Sequence, residues 1–140
     1  MFSINYLAVL VAAIVNMILG AVWYGPLFGK PWSKMMGFGQ EKMKEMQAKG
    51  MGGSYVIMFI GSLLISWVLA RFIVFTEASY QIWSSVIGLR IGFEAWLGFV
   101  APVTVSMVLW EGKPWKRWMI VAGYSLVGFC LIGAILASWR

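Results

Sequence analysis

The side chains of this chain that are best suited to bind an ion or carry a proton are the charged ones within or beside its long apolar stretches. Arg90 and Glu94 are four positions apart, so one turn of helix brings them together as an ion pair. Arg71 lies near the end of the preceding apolar stretch, and a count of about 20 residues per membrane span places the three charges at a similar depth. The pattern predicts a ligand- or ion-binding site in which Glu94 binds a cation or carries a proton. A structural ion pair, with arginines that reach the lipid headgroups, is the alternative.

Pro102 adds a second feature to the same stretch. It has no N–H to donate to the carbonyl of Gly98, so we expect the helix to bend there. Glu94, Gly98, Pro102 and Ser106 recur at a spacing of four and therefore share one helical face. This face predicts either a polar path or a kink whose freed backbone groups are satisfied by neighbouring hydroxyls.

The composition argues against most catalytic and metal-binding chemistry. The chain has no His and no Asp, and its five acidic residues are all Glu. Histidine triads, histidine metal sites and aspartate dyads are thereby excluded. Cys130 is the single cysteine, so no intramolecular disulfide can form. We expect no enzyme, no catalytic residue, no cofactor and no metal site.

Four long apolar stretches must position these side chains. The sequence is 61% hydrophobic and 11% charged, with a mean hydropathy of +0.84, whereas a soluble domain is about one quarter charged. The pattern predicts a single all-α membrane domain over residues 1–140, embedded in the lipid bilayer and built from two antiparallel hairpins. The four predicted transmembrane helices are Ile4–Trp23, Ser54–Phe75, Ile82–Trp110 and Trp118–Trp139.

The loops carry an uneven distribution of basic residues. Loop 1, predicted over Tyr24–Gly53, has five lysines, and loop 3, over Glu111–Arg117, has three basic residues. Loop 2, over Thr76–Gln81, has none. The positive-inside rule then places loops 1 and 3 in the cytoplasm and both termini outside. Because the net charge of +6 lies mostly in loops beside spans, we expect no binding to nucleic acid.

Loop 1 has two local patterns of its own. Gln40–Lys49 is typical of a short basic helix with methionines on one side, which predicts an interfacial segment whose loop lysines contact anionic lipid. A solvated loop is the alternative. The tetrapeptide Gly-Lys-Pro-Trp occurs at Gly29–Trp32 and again at Gly112–Trp115. Both copies predict a proline that breaks the helix and a tryptophan in the membrane interface, through either duplication or a shared turn.

Small residues recur at a spacing of four in every span. In the first span they are Ala8, Ala12 and Gly20, with Asn16 on the same stripe. Such stripes let helices approach closely in lipid, and Asn16 is expected to form a hydrogen bond across a helix interface. More stripes are present than four helices need among themselves, which predicts a homo-oligomer.

Several segments resemble a known family. They are the start of the first span at Asn5–Ala13, its exit at Gly20–Trp32 with a Trp-Tyr-x-Pro pattern, Trp96–Pro102, and the end of the last span at Gly133–Trp139. Together they resemble the small bacterial membrane proteins catalogued as domain of unknown function 1761, over nearly the whole chain. The resemblance implies a four-helix protein of the bacterial plasma membrane and no particular activity. The family often has Asn and His early in the last span, whereas Val121–Ser125 has neither, so no role is carried over from those side chains.

Two functional interpretations remain open on this sequence. In the first, the protein is a small transporter or channel component that works as a homo-oligomer, with Arg71, Arg90 and Glu94 at the outer mouth of a path between subunits. In the second, it is a non-transporting accessory, scaffold or lipid-interacting protein whose working surface is loop 1.

Overall fold

The computed structural model of this chain describes residues 3–35, 37, 41, 44–45, 50 and 52–139. Every regular element among these residues is a helix. Four helices are long and apolar enough to cross a membrane: Tyr6–Leu27, Gly52–Tyr80, Ser85–Leu109 and Trp115–Ser138. The predicted all-α class with four candidate spans is confirmed, whereas the two-hairpin arrangement stays a prediction.

Helix α1 (Tyr6–Val22) begins at Asn5, whose side-chain oxygen accepts hydrogen bonds from the first-turn N–H groups of Leu7 and Ala8. It continues directly into a π-helical turn over Trp23–Leu27 that contains a proline. The first membrane helix therefore extends past Tyr24, where loop 1 was predicted to begin.

The first Gly-Lys-Pro-Trp copy was predicted to break the helix, but these residues begin helix α2 (Gly29–Met35). Pro31 lies in its first turn, where no backbone N–H is needed, so the proline is compatible with the helix. In the second copy, Pro114 is the N-terminal cap residue of the last helix, and Gly112 before it has a φ of 70°. Both prolines thus start a helix. The interfacial helix predicted over Gln40–Lys49 lies outside the described residues except for positions 41, 44 and 45.

Helix α3 (Gly52–Tyr80) has 29 residues and a length of about 44 Å, well beyond the roughly 30 Å of hydrocarbon in a bilayer. Its last five residues were predicted to be loop 2, which is wrong. The hydroxyls of Thr76 and Ser79 donate to the carbonyls four positions earlier, so polar residues continue the helix as well as apolar ones. The chain turns at Gln81, which has a φ of 57°.

The third span is the most irregular. Helix α4 (Ser85–Ala95) leads into a π-helical turn over Trp96–Val100, followed by two short helices, α5 (Ala101–Thr104) and α6 (Ser106–Leu109). Pro102 is the second residue of α5, just after the π-helical turn. Its nitrogen cannot donate to a carbonyl one turn back, which accounts for the irregular helix at this point.

Helix α7 (Trp115–Ser138) packs against α4 through glycines. A Cβ placed on Gly88 would overlap the carbonyl of Gly133, and a Cβ on Gly92 would overlap the carbonyl of Phe129. The two backbones are therefore in direct contact, as small residues allow in membrane proteins.

A hydrophobic core fills the space between α1, α3 and α7. Its buried members come from the stripes of small residues and from the aliphatic residues beside them: Ala8, Ala12, Leu69, Ala70, Ile73, Ile132, Leu136 and Ala137. Large apolar side chains such as Phe75, Phe99 and Val103 instead lie on the outer surface of the bundle. This inverted distribution is expected where the surrounding solvent is lipid.

Candidate functional site

The predicted ion pair on α4 is present. Arg90 Nε donates to Glu94 Oε1 at 2.7 Å, one helical turn away. The two side chains are 77% and 56% exposed, so the pair projects from the bundle toward lipid or headgroups. The charge of the Glu94 carboxylate is therefore already compensated by Arg90 on the same helix.

Arg71 on α3 has a different partner. Its guanidinium carbon lies 5.1 Å from the ring centroid of Trp67, one turn earlier, in a cation–π geometry. The described residues contain no ion pair between Arg71 and Glu94. The structure therefore joins two of the three predicted site residues and places the third on a tryptophan.

A shallow groove of about 280 Å³ runs between α3 and α4 beside Glu94. Its lining is mostly aromatic and aliphatic: Phe72, Phe75, Thr76, Ile91, Glu94, Ala95 and Phe99. Neither arginine lines it. The groove therefore offers a single carboxylate, already paired with Arg90, on an otherwise apolar surface.

The polar groups near Pro102 are satisfied locally. Thr104 Oγ1 donates to the carbonyl of Val100 at 2.7 Å, and Ser106 Oγ donates to the carbonyl of Val103 at 2.8 Å. Trp118 Nε1 in turn donates to Thr104 Oγ1 at 3.0 Å. Of the two readings of this face, these contacts favour a kink stabilised by hydroxyls over a polar path.

Glu77 is the functional candidate that the sequence reasoning missed. It was assigned to loop 2, but it lies on α3 one turn before the end of the helix and is only 2% exposed. It lines a cavity of about 220 Å³ at the end of the bundle that carries Ser3–Asn5 and Trp139, here called the terminal end. Glu77 is the acidic side chain in the lining of that cavity.

Glu77 lies where a carboxylate needs partners. Removing an ionised carboxylate from water costs several kcal/mol unless partners compensate it, and Glu77 does interact with another group in the folded protein. The last turn of a helix also carries partial negative charge from its unpaired carbonyls, which disfavours an anion there. A buried acid at such a place in a membrane protein is a candidate for function.

A signal for Glu77 was available in the sequence. Ser62, Ser66 and Ala70 form a stripe of small residues on α3, and all three are buried. Seven positions further, at two helical turns, the same stripe reaches Glu77. The signal was lost because the apolar stretch was ended at Phe75, so Glu77 was never placed on a helical face.

Asn16 lies deeper in the bundle and joins three helices. Its Nδ2 donates to Ser62 Oγ on α3 at 2.9 Å, and its Oδ1 lies against Gly128 on α7, where a Cβ would be 2.5 Å away. The Tyr124 hydroxyl on α7 donates to the backbone carbonyl of Asn16 at 3.2 Å. This buried node fixes the packing of α1, α3 and α7 about each other.

Indole groups link helices near the other end of the bundle. Trp23 Nε1 donates to the carbonyl of Ile120 at 3.0 Å, and Trp96 Nε1 donates to the carbonyl of Ala122 at 2.9 Å. Trp and Tyr are expected in interfacial belts of membrane proteins, where an indole N–H can also find a partner within the protein. Both residues additionally donate a hydrogen bond to α7.

No group of three or more His, Cys, Asp or Glu side chains comes together within the described residues. Among the described residues, the terminal end provides one buried carboxylate in the wall of a cavity lined mostly by aliphatic side chains and two tryptophans.

Comparison with known proteins gives one match. The model of a family described as a protein of unknown function (DUF1761) matches residues 7–137 of the chain. No curated protein matches, and no solved structure matches. The family drawn from the sequence segments is confirmed, whereas the bacterial origin that the resemblance implies stays a prediction.

Proposed function

Because the chain belongs to the DUF1761 family, whose function is unknown, we propose an activity from the site: the protein binds a cation at Glu77 and carries it across the membrane as a homo-oligomer. The coarser description, an integral membrane protein with several spans, follows from its four apolar helices. The observation that carries the proposal is the burial of Glu77 in the wall of the terminal cavity.

Electrostatics support a cation as the ligand. A carboxylate at low exposure and near a helix C-terminus attracts positive charge, both by its own charge and by the partial charge of the helix end. The cavity is bounded on its inner side by Ala8, Ala70, Ile73 and Leu136, which separate it from the rest of the bundle. A cation could therefore enter from the terminal end and stop at Glu77 until the helices move.

A path beyond the apolar core needs a second subunit or a rearrangement of the helices. The third span supports the first option. Only 11% of its apolar 18-residue segment is buried within the chain, whereas 28–33% of the corresponding segments in the other three spans is buried. A homo-oligomer would cover part of this face. We propose further that the lysine-rich loops face the bacterial cytoplasm, so that the cavity opens to the outside of the plasma membrane.

The test is cation flux in liposomes that contain the purified protein. Three probes cover the class: protons followed with an enclosed pH dye, radioactive rubidium, and radioactive tetramethylammonium. Glu77→Gln keeps the size of the side chain and removes its charge, so it should abolish the protein-dependent flux of whichever probe is carried. Glu94→Gln is the matched control and should retain flux.

Each outcome decides the proposal. If flux survives Glu77→Gln but disappears in Glu94→Gln, the cation site is at Glu94, with Arg90 and Arg71 as its neighbours, and the proposal for Glu77 is wrong. Absence of protein-dependent flux for all three probes would overturn transport. Flux lost with Glu77 alone would establish the Glu77 site.

The second candidate function is a non-transporting protein that binds anionic lipid. The observation in its favour is a set of exposed lysines at the end of the bundle opposite the cavity, on α2 and around Pro114: Lys30, Lys34, Lys113 and Lys116. Deletion of Gln40–Lys49, or replacement of these lysines by Gln, should then abolish preferential binding to phosphatidylglycerol over phosphatidylcholine in nanodiscs. Equal preference in wild type and variants would reject this function.

A further inference from the structure

We infer that the ligand of the terminal cavity is a small organic ammonium ion, held by the Glu77 carboxylate and the indole rings of Trp83 and Trp139. This inference rests on the proposed cation site and specifies its chemical class. The three side chains line the same cavity, although they come from α3, from the turn after it and from the end of α7.

The lining of the cavity offers fewer oxygen ligands than calcium or magnesium ions need. Calcium takes six to eight oxygen ligands, and magnesium demands near-octahedral coordination. Among the described lining residues, the side-chain oxygens are those of the Glu77 carboxylate, the Ser3 hydroxyl and the Asn5 amide, whose Oδ1 already accepts from the backbone N–H groups of Leu7 and Ala8 at 3.1 and 3.2 Å. A cation that carries its own apolar groups needs fewer oxygens.

The remaining walls fit such a cation. Ile4, Ala8, Val74 and Leu136 give the cavity an apolar surface that alkyl groups on nitrogen can contact, whereas a hydrated ion would leave its water there unpaired. Aromatic rings attract ammonium ions through the negative face of the π system, and quaternary ammonium groups are recognised in this way. Trp83 and Trp139 provide two such rings.

Size limits the ligand further. A volume of about 220 Å³ is below the roughly 300 Å³ at which pockets for drug-sized ligands begin. It exceeds several-fold the roughly 30 Å³ that one water occupies in the liquid. A compact ion with a few alkyl groups, such as choline or tetramethylammonium, is of suitable size, and large polycyclic cations are excluded.

The experiment is calorimetric titration of the full-length protein in nanodiscs with choline chloride. The matched neutral probe is 3,3-dimethyl-1-butanol, which has the shape of choline with carbon in place of the charged nitrogen. Sodium and magnesium chloride are titrated in parallel. Choline should bind at least tenfold more tightly than the neutral isostere and than either metal ion, and Glu77→Gln should abolish that preference.

The aromatic part of the inference has its own variants. Trp139→Leu should weaken choline binding about fivefold, which corresponds to about 1 kcal/mol of cation–π energy, while Trp139→Phe should lose less. Trp110→Leu is the control, because Trp110 is 84% exposed and follows α6, away from the cavity. Equal affinity in Trp139→Leu and Trp110→Leu would overturn the role of the ring.

The results separate this inference from the proposed function. If rubidium or proton flux depends on Glu77 while choline does not bind, the cation site stands and the organic ammonium class is overturned. If choline binds no more tightly than its neutral isostere, the role of charge is overturned. If no probe binds and none is carried, both proposals fall together.

Discussion

Glu77 on α3 and Glu94 on α4 are carboxylates in neighbouring membrane helices with opposite surroundings. Glu77 is 2% exposed and lines a cavity between helices, whereas the Glu94 side chain is 56% exposed and lies beside Arg90 on the outer face of α4. Sequence reasoning selected Glu94 because its partner was visible at a spacing of four. The comparison teaches that membrane depth and local pairing do not identify a site until the rotation of the residue about its helix axis is known.

The same contrast between inner and outer faces occurs within α4 alone. Gly92 touches the backbone of α7 at Phe129, while Arg90 and Glu94, each two positions away, project outward. Two residues correspond to about 200° of rotation about a helix. The glycine face and the charged face of α4 are thus opposite, which makes one a packing surface and the other a lipid surface.

The largest effect should come from filling the inner face of α4. In Gly92→Ala, the new Cβ would overlap the carbonyl of Phe129, and neither backbone can move without separating α4 from α7. We expect a loss of at least about 3 kcal/mol in the free energy of unfolding, at the upper end of overpacking costs. Thermal unfolding can be followed with a thiol-reactive fluorogenic dye on Cys130, the single cysteine, which lies beside Gly92 on α7.

Gly61→Ala is the control for that prediction. Gly61 lies within α3, and a Cβ there would have no neighbouring atom within 4 Å. The replacement should leave the unfolding temperature unchanged or raise it slightly, since alanine favours helix by up to about 1 kcal/mol over glycine. Equal destabilisation by both replacements would contradict the assignment of α4–α7 as the tightly packed contact.

An intermediate effect is expected at the Asn16 node. Asn16→Leu removes the donor to Ser62 Oγ and should lower the free energy of unfolding by about 0.6 to 1.7 kcal/mol, between the average and the maximum found for hydrogen bonds between membrane helices. A double-mutant cycle with Ser62→Ala isolates the contribution of the pair. Strict additivity of the two replacements would show that the hydrogen bond contributes nothing and that only packing matters there.

The sequence was sufficient for the helices and insufficient for their orientation. Hydropathy located four spans because a bilayer imposes a length on every apolar helix. The end of α3 was missed because hydropathy stops at Phe75, whereas the helix continues through residues whose hydroxyls bond back to it. Spacing gave the Arg90–Glu94 pair, but the cavity around Glu77 depends on residues from both termini, which no local pattern relates.

Part of the orientation was nevertheless contained in the sequence. The stripe of Gly88 and Gly92 identified the packing face of α4, and the charges at positions 90 and 94 lie on the opposite side of the same helix. Combining the two observations would have placed Glu94 toward lipid. Neither observation, however, could have shown that Trp83 and Trp139 line the same cavity as Glu77, because that arrangement depends on the relative placement of three helices.

The smallest effect should come from the outer face of α4. The double variant Arg90→Gln/Glu94→Gln removes both charges of an exposed pair, and exposed pairs contribute little because solvent and headgroups screen them. We expect its unfolding temperature, read with the Cys130 dye, and its cation flux to match those of the wild type. If flux is lost while the unfolding temperature holds, Glu94 is the cation site and the cavity at Glu77 is structural. Because the two carboxylates lie on separate faces of the bundle, one pair of measurements on Glu77→Gln and on this double variant decides between them.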